Sequence, residues 1–206
     1  MTQRRSLSES AVTKRDRIHG LDLADGEPLA NAPAESSLLF ALEELAFLLK
    51  PLMGINAPRD GGNRILEVRP KGHWFEFEVA RRLGYHYPPG AGLFPDVRHQ
   101  LLEMKHHTGK SVTIDFGRHH PGSEEVVDAR WNEKIHARVC DIRYLIALAP
   151  PPEFQVTVMV LATGAEINSI FGVSPTQTIK YQLGISKRWR EEHAGKILVS
   201  GREFRE

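Results

Sequence analysis

Two near-continuous apolar runs, residues 143–149 (RYLIALA) and 154–162 (FQVTVMVLA), constrain this chain more than any other stretch of it. Three consecutive prolines, Pro150 to Pro152, separate them, so the chain must turn between the two. Strands with no polar alternation have no face to give to water. They suit the centre of a sheet covered on both sides. The predicted fold class is therefore α/β, a mixed central β-sheet flanked by helices.

The cover is sought in three helical patterns. Residues 36–50 (SSLLFALEELAFLLK) are broadly apolar, and Pro51 ends them. Residues 73–83 set Phe75, Val79 and Leu83 on one stripe with Glu76 at its edge, whereas Glu78 points elsewhere. Residues 124–140 resume helical spacing through Val127, Trp131, Ile135 and Val139, as a helix crossing back over the sheet. Between the first two helices, residues 53–71 are turn-rich, with a short strand at 65–68 and with Arg59, Arg64, Arg69 and Lys71 as loop cations that could face a polyanion or simply solvent. Residues 111–117 (SVTIDFG) alternate cleanly and are expected as a strand beside a hairpin at 92–107. A short helix is expected at 166–171.

Residues 1–35 are polar and mildly basic, too poor in aliphatic side chains to order themselves, and are expected to be a flexible N-terminal arm. Residues 36–206 are expected to form a single domain. A formal net charge of +1 advertises no global attraction to nucleic acid, although it allows a local basic cleft around an acidic centre. The single Cys140 excludes an intramolecular disulfide and fits a reducing compartment. With no apolar run near the ~20 residues of a membrane span, the expected location is the cytoplasm, with no membrane partner.

The chemistry is concentrated in residues 92–107, GLFPDVRHQLLEMKHH. As a hairpin turning near Arg98-His99, with Asp96 opposite Leu101, this stretch puts Asp96, Glu103 and Lys105 on one face. Leu102 and Met104 take the other, core-facing side. Two carboxylates with no sulfur or imidazole beside them favour Mg²⁺ or Mn²⁺ over zinc. A lysine two residues on could orient a water or neutralise charge on a phosphate. A solvated salt bridge would look the same. His106, His107, His119 and His120 make a weaker case for zinc, because neighbouring histidines in a strand face opposite ways and no cysteine pair accompanies them.

Pro95-Asp96, six intervening residues and Glu103-Met104-Lys105 spell the PD-(D/E)xK pattern, and the chain resembles the nucleases that carry that name. Upstream, Gly72, Phe75, Glu76, Val79, Leu83, Gly84 and Tyr85 are similar to the helix that precedes the catalytic hairpin in that superfamily. The resemblance covers about residues 72–162. It implies a restriction-endonuclease-like αβββαβ core and Mg²⁺-dependent hydrolysis of phosphodiester bonds, with Mn²⁺ as a substitute. It further implies metal binding by Asp96 and Glu103, a water-positioning Lys105 and a helical acid, Glu76. The short, single-domain type II restriction endonucleases look closest. Double-stranded DNA is then the expected substrate, a homodimer the expected assembly, and a cognate DNA methyltransferase a partner by analogy only.

Candidate DNA contacts are Arg98, His99, Lys110, Lys180, Lys187 and Arg188. The last three interleave with Tyr181 and Trp189, a mixture that suits backbone and base contacts or a helix docked on its own domain. A nicking nuclease of repair or of DNA junctions on the same core, a catalytically silent DNA-binding module and a zinc-binding interaction protein are the alternatives.

Overall fold

In the computed structural model, the residues described are 40–61, 67–84, 94–97, 100–108, 111–114, 120–129, 132–133, 136–173 and 181–205. Strands β1 (Leu102–His107), β3 (Arg143–Leu148), β4 (Val158–Thr163), β7 (Lys196–Val199) and β8 (Arg202–Glu203) form one mixed sheet in the order β1-β3-β4-β7-β8. Within it, β1 runs parallel to β3 and β4 parallel to β7, while β3–β4 and β7–β8 are antiparallel. The two apolar runs are its centre: every residue of β3 and β4 is buried. The architecture is α/β, as their composition requires.

Side-chain alternation divides the core into two clusters, one on each face of the sheet. Leu102, Met104, Leu145, Ala147, Met159 and Leu161 point to helices α1 (Leu42–Leu49) and α2 (Val68–Arg82), where Leu42, Leu45, Leu49, Phe75, Val79 and Leu83 meet them. Tyr144, Ile146, Leu148, Val158, Val160 and Ala162 point the other way. They pack on helix α3 (Gly164–Ile170) and on a second, antiparallel sheet of order β2-β6-β5, built from β2 (Ser111–Ile114), β5 (Gly172–Val173) and β6 (Tyr181–Gly184). Helix α4 (Lys187–Glu192) follows β6.

Both long-range helices begin and end for local reasons. The Glu44 carboxylate accepts the Ala41 N–H at 2.9 Å, satisfying one donor at the start of α1. Pro51 falls in the 3₁₀ turn Lys50–Leu52 that closes it. Pro70 lies in the first turn of α2, where a missing N–H costs nothing. Gly84, at φ +78° to +81° like the other turn glycines 54 and 195, takes the left-handed conformation that ends the helix.

Several expectations need correction. Strand β2 does not pair with the hairpin. It pairs with β6 in the second sheet, and β1 instead has β3 as its neighbour. Val68 opens α2 rather than closing a strand, and residues 62–66 lie outside the described residues.

Among the described residues of 124–140 there is no α-helix, but the Val126–Arg138 bridge, a 3₁₀ position at Asn132 and the start of the 3₁₀ turn Val139–Asp141. The reason is Asn132, which is buried and donates to Val127 O (2.9 Å) and Ala137 O (2.7 Å), while its own oxygen accepts from Ala137 N (2.7 Å). One amide thus pairs two passing backbones, so Val127, Ala137 and Val139 reach the core from a loop. Trp131 and Ile135, like the arm at 1–35, lie outside the described residues. No helix among the described residues is long and apolar enough to cross a membrane.

Candidate active site

The hairpin forms in a different register from the one expected. Val97 bridges Leu102, with Val97 N–Leu102 O at 2.9 Å and Leu102 N–Val97 O at 3.0 Å. That places Asp96 opposite Glu103, not opposite Leu101. In the same register Met104 falls opposite Pro95, which has no N–H to exchange. The ladder stops there, and the Met104 N–H donates to the Asp96 carboxylate (Oδ2, 2.7 Å) instead. Asp96 N in turn donates to Glu103 Oε2 at 3.3 Å. Leu101 takes φ +49° and turns its side chain into the core, which lets the four residues between Val97 and Leu102 close the loop.

Asp96 and Glu103 are therefore brought together in a nearly dry place, 9% and 4% exposed. Burial, and then the neighbouring Glu103, push the Asp96 carboxyl up to about 8. Burial also raises Glu103, against the pull of Lys105, whose Nζ lies 2.7 Å from Glu103 Oε1. Glu76 is half-buried on α2, at the edge of the Phe75–Val79 stripe. Its carboxyl is raised by burial and senses both Glu103 and Lys105, so the helical acid belongs to the same electrostatic group. Glu78 is turned away and pairs with Arg81 at 2.9 Å.

Oxygen is the only donor type this pair offers. Among the described residues, no group of three or more His, Cys, Asp and Glu side chains could hold a metal ion. Two carboxylates nevertheless suit Mg²⁺, which keeps several waters and commonly takes only one or two protein carboxylates. A cation between them would also offset the burial that raises both groups and the Glu103 charge that raises Asp96.

Of the candidate DNA contacts, Arg98, His99, Lys110 and Lys180 lie outside the described residues. Lys187 and Arg188 stand exposed on α4, each with a partner one turn on, at 3.6 Å from Glu191 and 2.7 Å from Glu192. Trp189 on the same helix docks on its own domain, against Phe171 and stacked with His193. Lys71 is a correction. It is no loop cation but a buried residue of α2, its ammonium 4.0 Å from the centre of the Phe154 ring.

His106, on the opposite face from Lys105, packs against Trp74 and Phe75. Burial and then Lys71 lower it to about 4, so it is a neutral imidazole near pH 7.

Two groups near the site were not singled out by the sequence. Tyr144, register partner of Glu103, is fully buried with its hydroxyl unpartnered. Arg143, the first residue of β3, is also fully buried, and it holds the hairpin turn. An arginine at the mouth of an apolar run is the one hint of it. Compared with known proteins, the chain matches no family model, no curated protein and no solved structure.

Proposed function

We propose that this chain is a Mg²⁺-dependent endonuclease of the PD-(D/E)xK type acting on double-stranded DNA, sequence-specific in the manner of type II restriction enzymes. One observation carries the reading. Asp96 and Glu103 face one another across a hairpin, buried, with the Lys105 ammonium 2.7 Å from Glu103 and Glu76 within electrostatic reach. Two buried carboxyls with a half-buried lysine and glutamate beside them are costly to fold, and such clusters mark functional sites more often than chance.

The element order of an αβββαβ core belongs to the same proposal, although β2 stands in the second sheet and no α-helix occurs among the described residues of 124–140. In it, α2 precedes the hairpin and β3 and β4 follow it. A divalent cation held by the Asp96 and Glu103 oxygens would supply positive charge at the scissile phosphate. Lys105 orients a water for in-line attack on phosphorus and faces the charge that develops there. Glu76 adds a carboxylate at the helix edge, where it can take a proton from that water or hydrogen-bond to it. The homodimer is the arrangement in which two such sites match a two-fold duplex.

The test is incubation of unmethylated plasmid and phage DNA with Mg²⁺, comparing wild type with Asp96→Ala and Lys105→Ala. Discrete fragments from the wild type, with at least a ~10²-fold loss in each variant, are the expected result. Nicks or smears that vanish in both variants would keep the chemistry and move the protein to repair or junction cleavage. Cleavage that survives both substitutions would mean the site is elsewhere. DNA binding without cleavage would favour a silent binding module.

A further inference from the structure

We propose that Arg143 is a positioning residue for the Asp96–Glu103 pair. Its guanidinium holds the hairpin turn closed and so sets the affinity of the two carboxylates for a divalent cation. This inference rests on the proposed cation site.

The turn residues Gln100 and Leu101 are tied to Arg143 by main chain and side chain together. Arg143 N donates to Leu101 O at 2.7 Å. Arg143 Nε donates to Gln100 O at 2.7 Å, and Nη2 reaches the same oxygen. Nη2 also donates to Gln100 Oε1 at 2.8 Å, and Nη1 to Phe40 O. Gln100 Oε1 accepts a further hydrogen bond from Phe40 N at 3.0 Å. One fully buried cation therefore joins three points: the start of β3, the tip of the hairpin and the chain just before α1.

That arrangement is expensive for packing alone. A buried arginine must recover several kcal/mol of lost hydration, and an apolar residue of similar size often serves stability as well. The remaining five residues of β3 are Tyr144, Leu145, Ile146, Ala147 and Leu148, so an apolar side chain would continue the strand. What the fork provides and an apolar residue cannot is a fixed geometry for several oxygens at once.

The geometry matters because of where the turn leads. Its ends are Val97 and Leu102, and one residue further out on each side stand Asp96 and Glu103. The Asp96 N–H reaches Glu103 Oε2 at 3.3 Å across the hairpin, so the spacing of the two carboxylates follows the closure of the turn. The Val97–Leu102 bridge and the Arg143 clamp hold that turn closed. A looser turn leaves the carboxylates further apart and less ready to share one ion.

The experiment uses the full chain and Mn²⁺ alone as probe, with binding read by electron paramagnetic resonance and the fold by circular dichroism. Arg143→Lys keeps the charge and loses the fork. Gln100→Ala keeps the arginine and removes one of its acceptors, and it carries the test if the first variant fails to fold. Val158→Ala, on β4, is the packing control.

The expected result is a Mn²⁺ dissociation constant raised ~10-fold or more in both clamp variants. The Mg²⁺ needed for half-maximal DNA cleavage should rise by the same factor, with kcat at saturating Mg²⁺ unchanged. Val158→Ala should leave the affinity as in wild type. Folded clamp variants with wild-type affinity, or a control that weakens binding as much as they do, would overturn the inference. A wild type that binds Mn²⁺ yet cuts no DNA would defeat the nuclease reading while leaving this comparison standing. A wild type that binds no Mn²⁺ would defeat both.

Discussion

Asp96 and Glu103 are two carboxyl groups held side by side out of water, where neither charge is well solvated. Without a cation, the Asp96 carboxyl stands at about 8 in the folded chain, against the ordinary aspartate value when unfolded, because burial and then Glu103 disfavour its charge. The folded state therefore holds a proton that the unfolded state has lost, and its stability falls as pH rises from about 4 towards 8. Below the unfolded value both states are protonated and the cost disappears. In Asp96→Asn the amide oxygen can keep the Met104 hydrogen bond but carries no charge. In EDTA the variant should melt above wild type at pH 8–9, and the gap should close towards pH 4. Equal melting curves across that range would mean that Asp96 is not strained by its neighbours.

The alternation of Leu102 and Met104 against Glu103 and Lys105 was legible from the sequence, because a half-buried strand has only two faces. The register was not, since it depends on Leu101 accepting a positive φ that sequence rules reserve for glycine or asparagine. The mismatch is two residues, which leaves every side chain on its expected face.

At the scale of elements, α3 is placed by a close approach more than by its own helical preference. A Cβ added at Gly164 would lie 2.2 Å from Pro121 O and 2.8 Å from Val139 O, both of them backbone atoms that cannot rotate away. Alanine is the better helix former by about 1 kcal/mol, yet Gly164→Ala should destabilise the protein by about 1–3 kcal/mol in urea unfolding. A stabilising alanine would mean that the 121–141 segment moves freely against the helix.

The same segment is where periodicity misled. Val127 and Val139 do face the core at a spacing a helix would give, but Asn132 spends its amide on two strand-like backbones instead. A buried asparagine that pairs main chain to main chain leaves no local signature. By contrast, α2 was legible at its buried stripe, since Phe75, Val79 and Leu83 are all buried where the pattern put them.

In the molecule as a whole, stability should be graded outwards from β3 and β4. These two strands have neighbours on both edges and are buried on both faces, whereas β8 is a two-residue exposed edge and α4 has no buried residue. Native-state hydrogen exchange should find the slowest amides in β3 and β4 and fast exchange in α4 and β8. Uniform protection across all four would contradict a core centred on the two apolar runs. That centre was the most legible part of the fold, because continuous burial demands continuous apolarity. The second sheet was the least, because the partner of β2 is β6, some seventy residues on, and long-range pairing leaves no trace in local spacing.

Pro95 has a consequence beyond the site. Exposed strands at the margin of a sheet recruit other strands, whether from a second copy or from misfolded chains. Along the outer side of β1, Leu102 is taken by Val97 and the Met104 N–H by a carboxylate, while the residue opposite Met104 has no hydrogen to give. That margin cannot be zipped to a neighbour across those residues. A second copy of this chain therefore cannot add a strand to β1 across Leu102–Met104. The first half of the strand that carries the candidate chemistry is also closed to strand-by-strand templating.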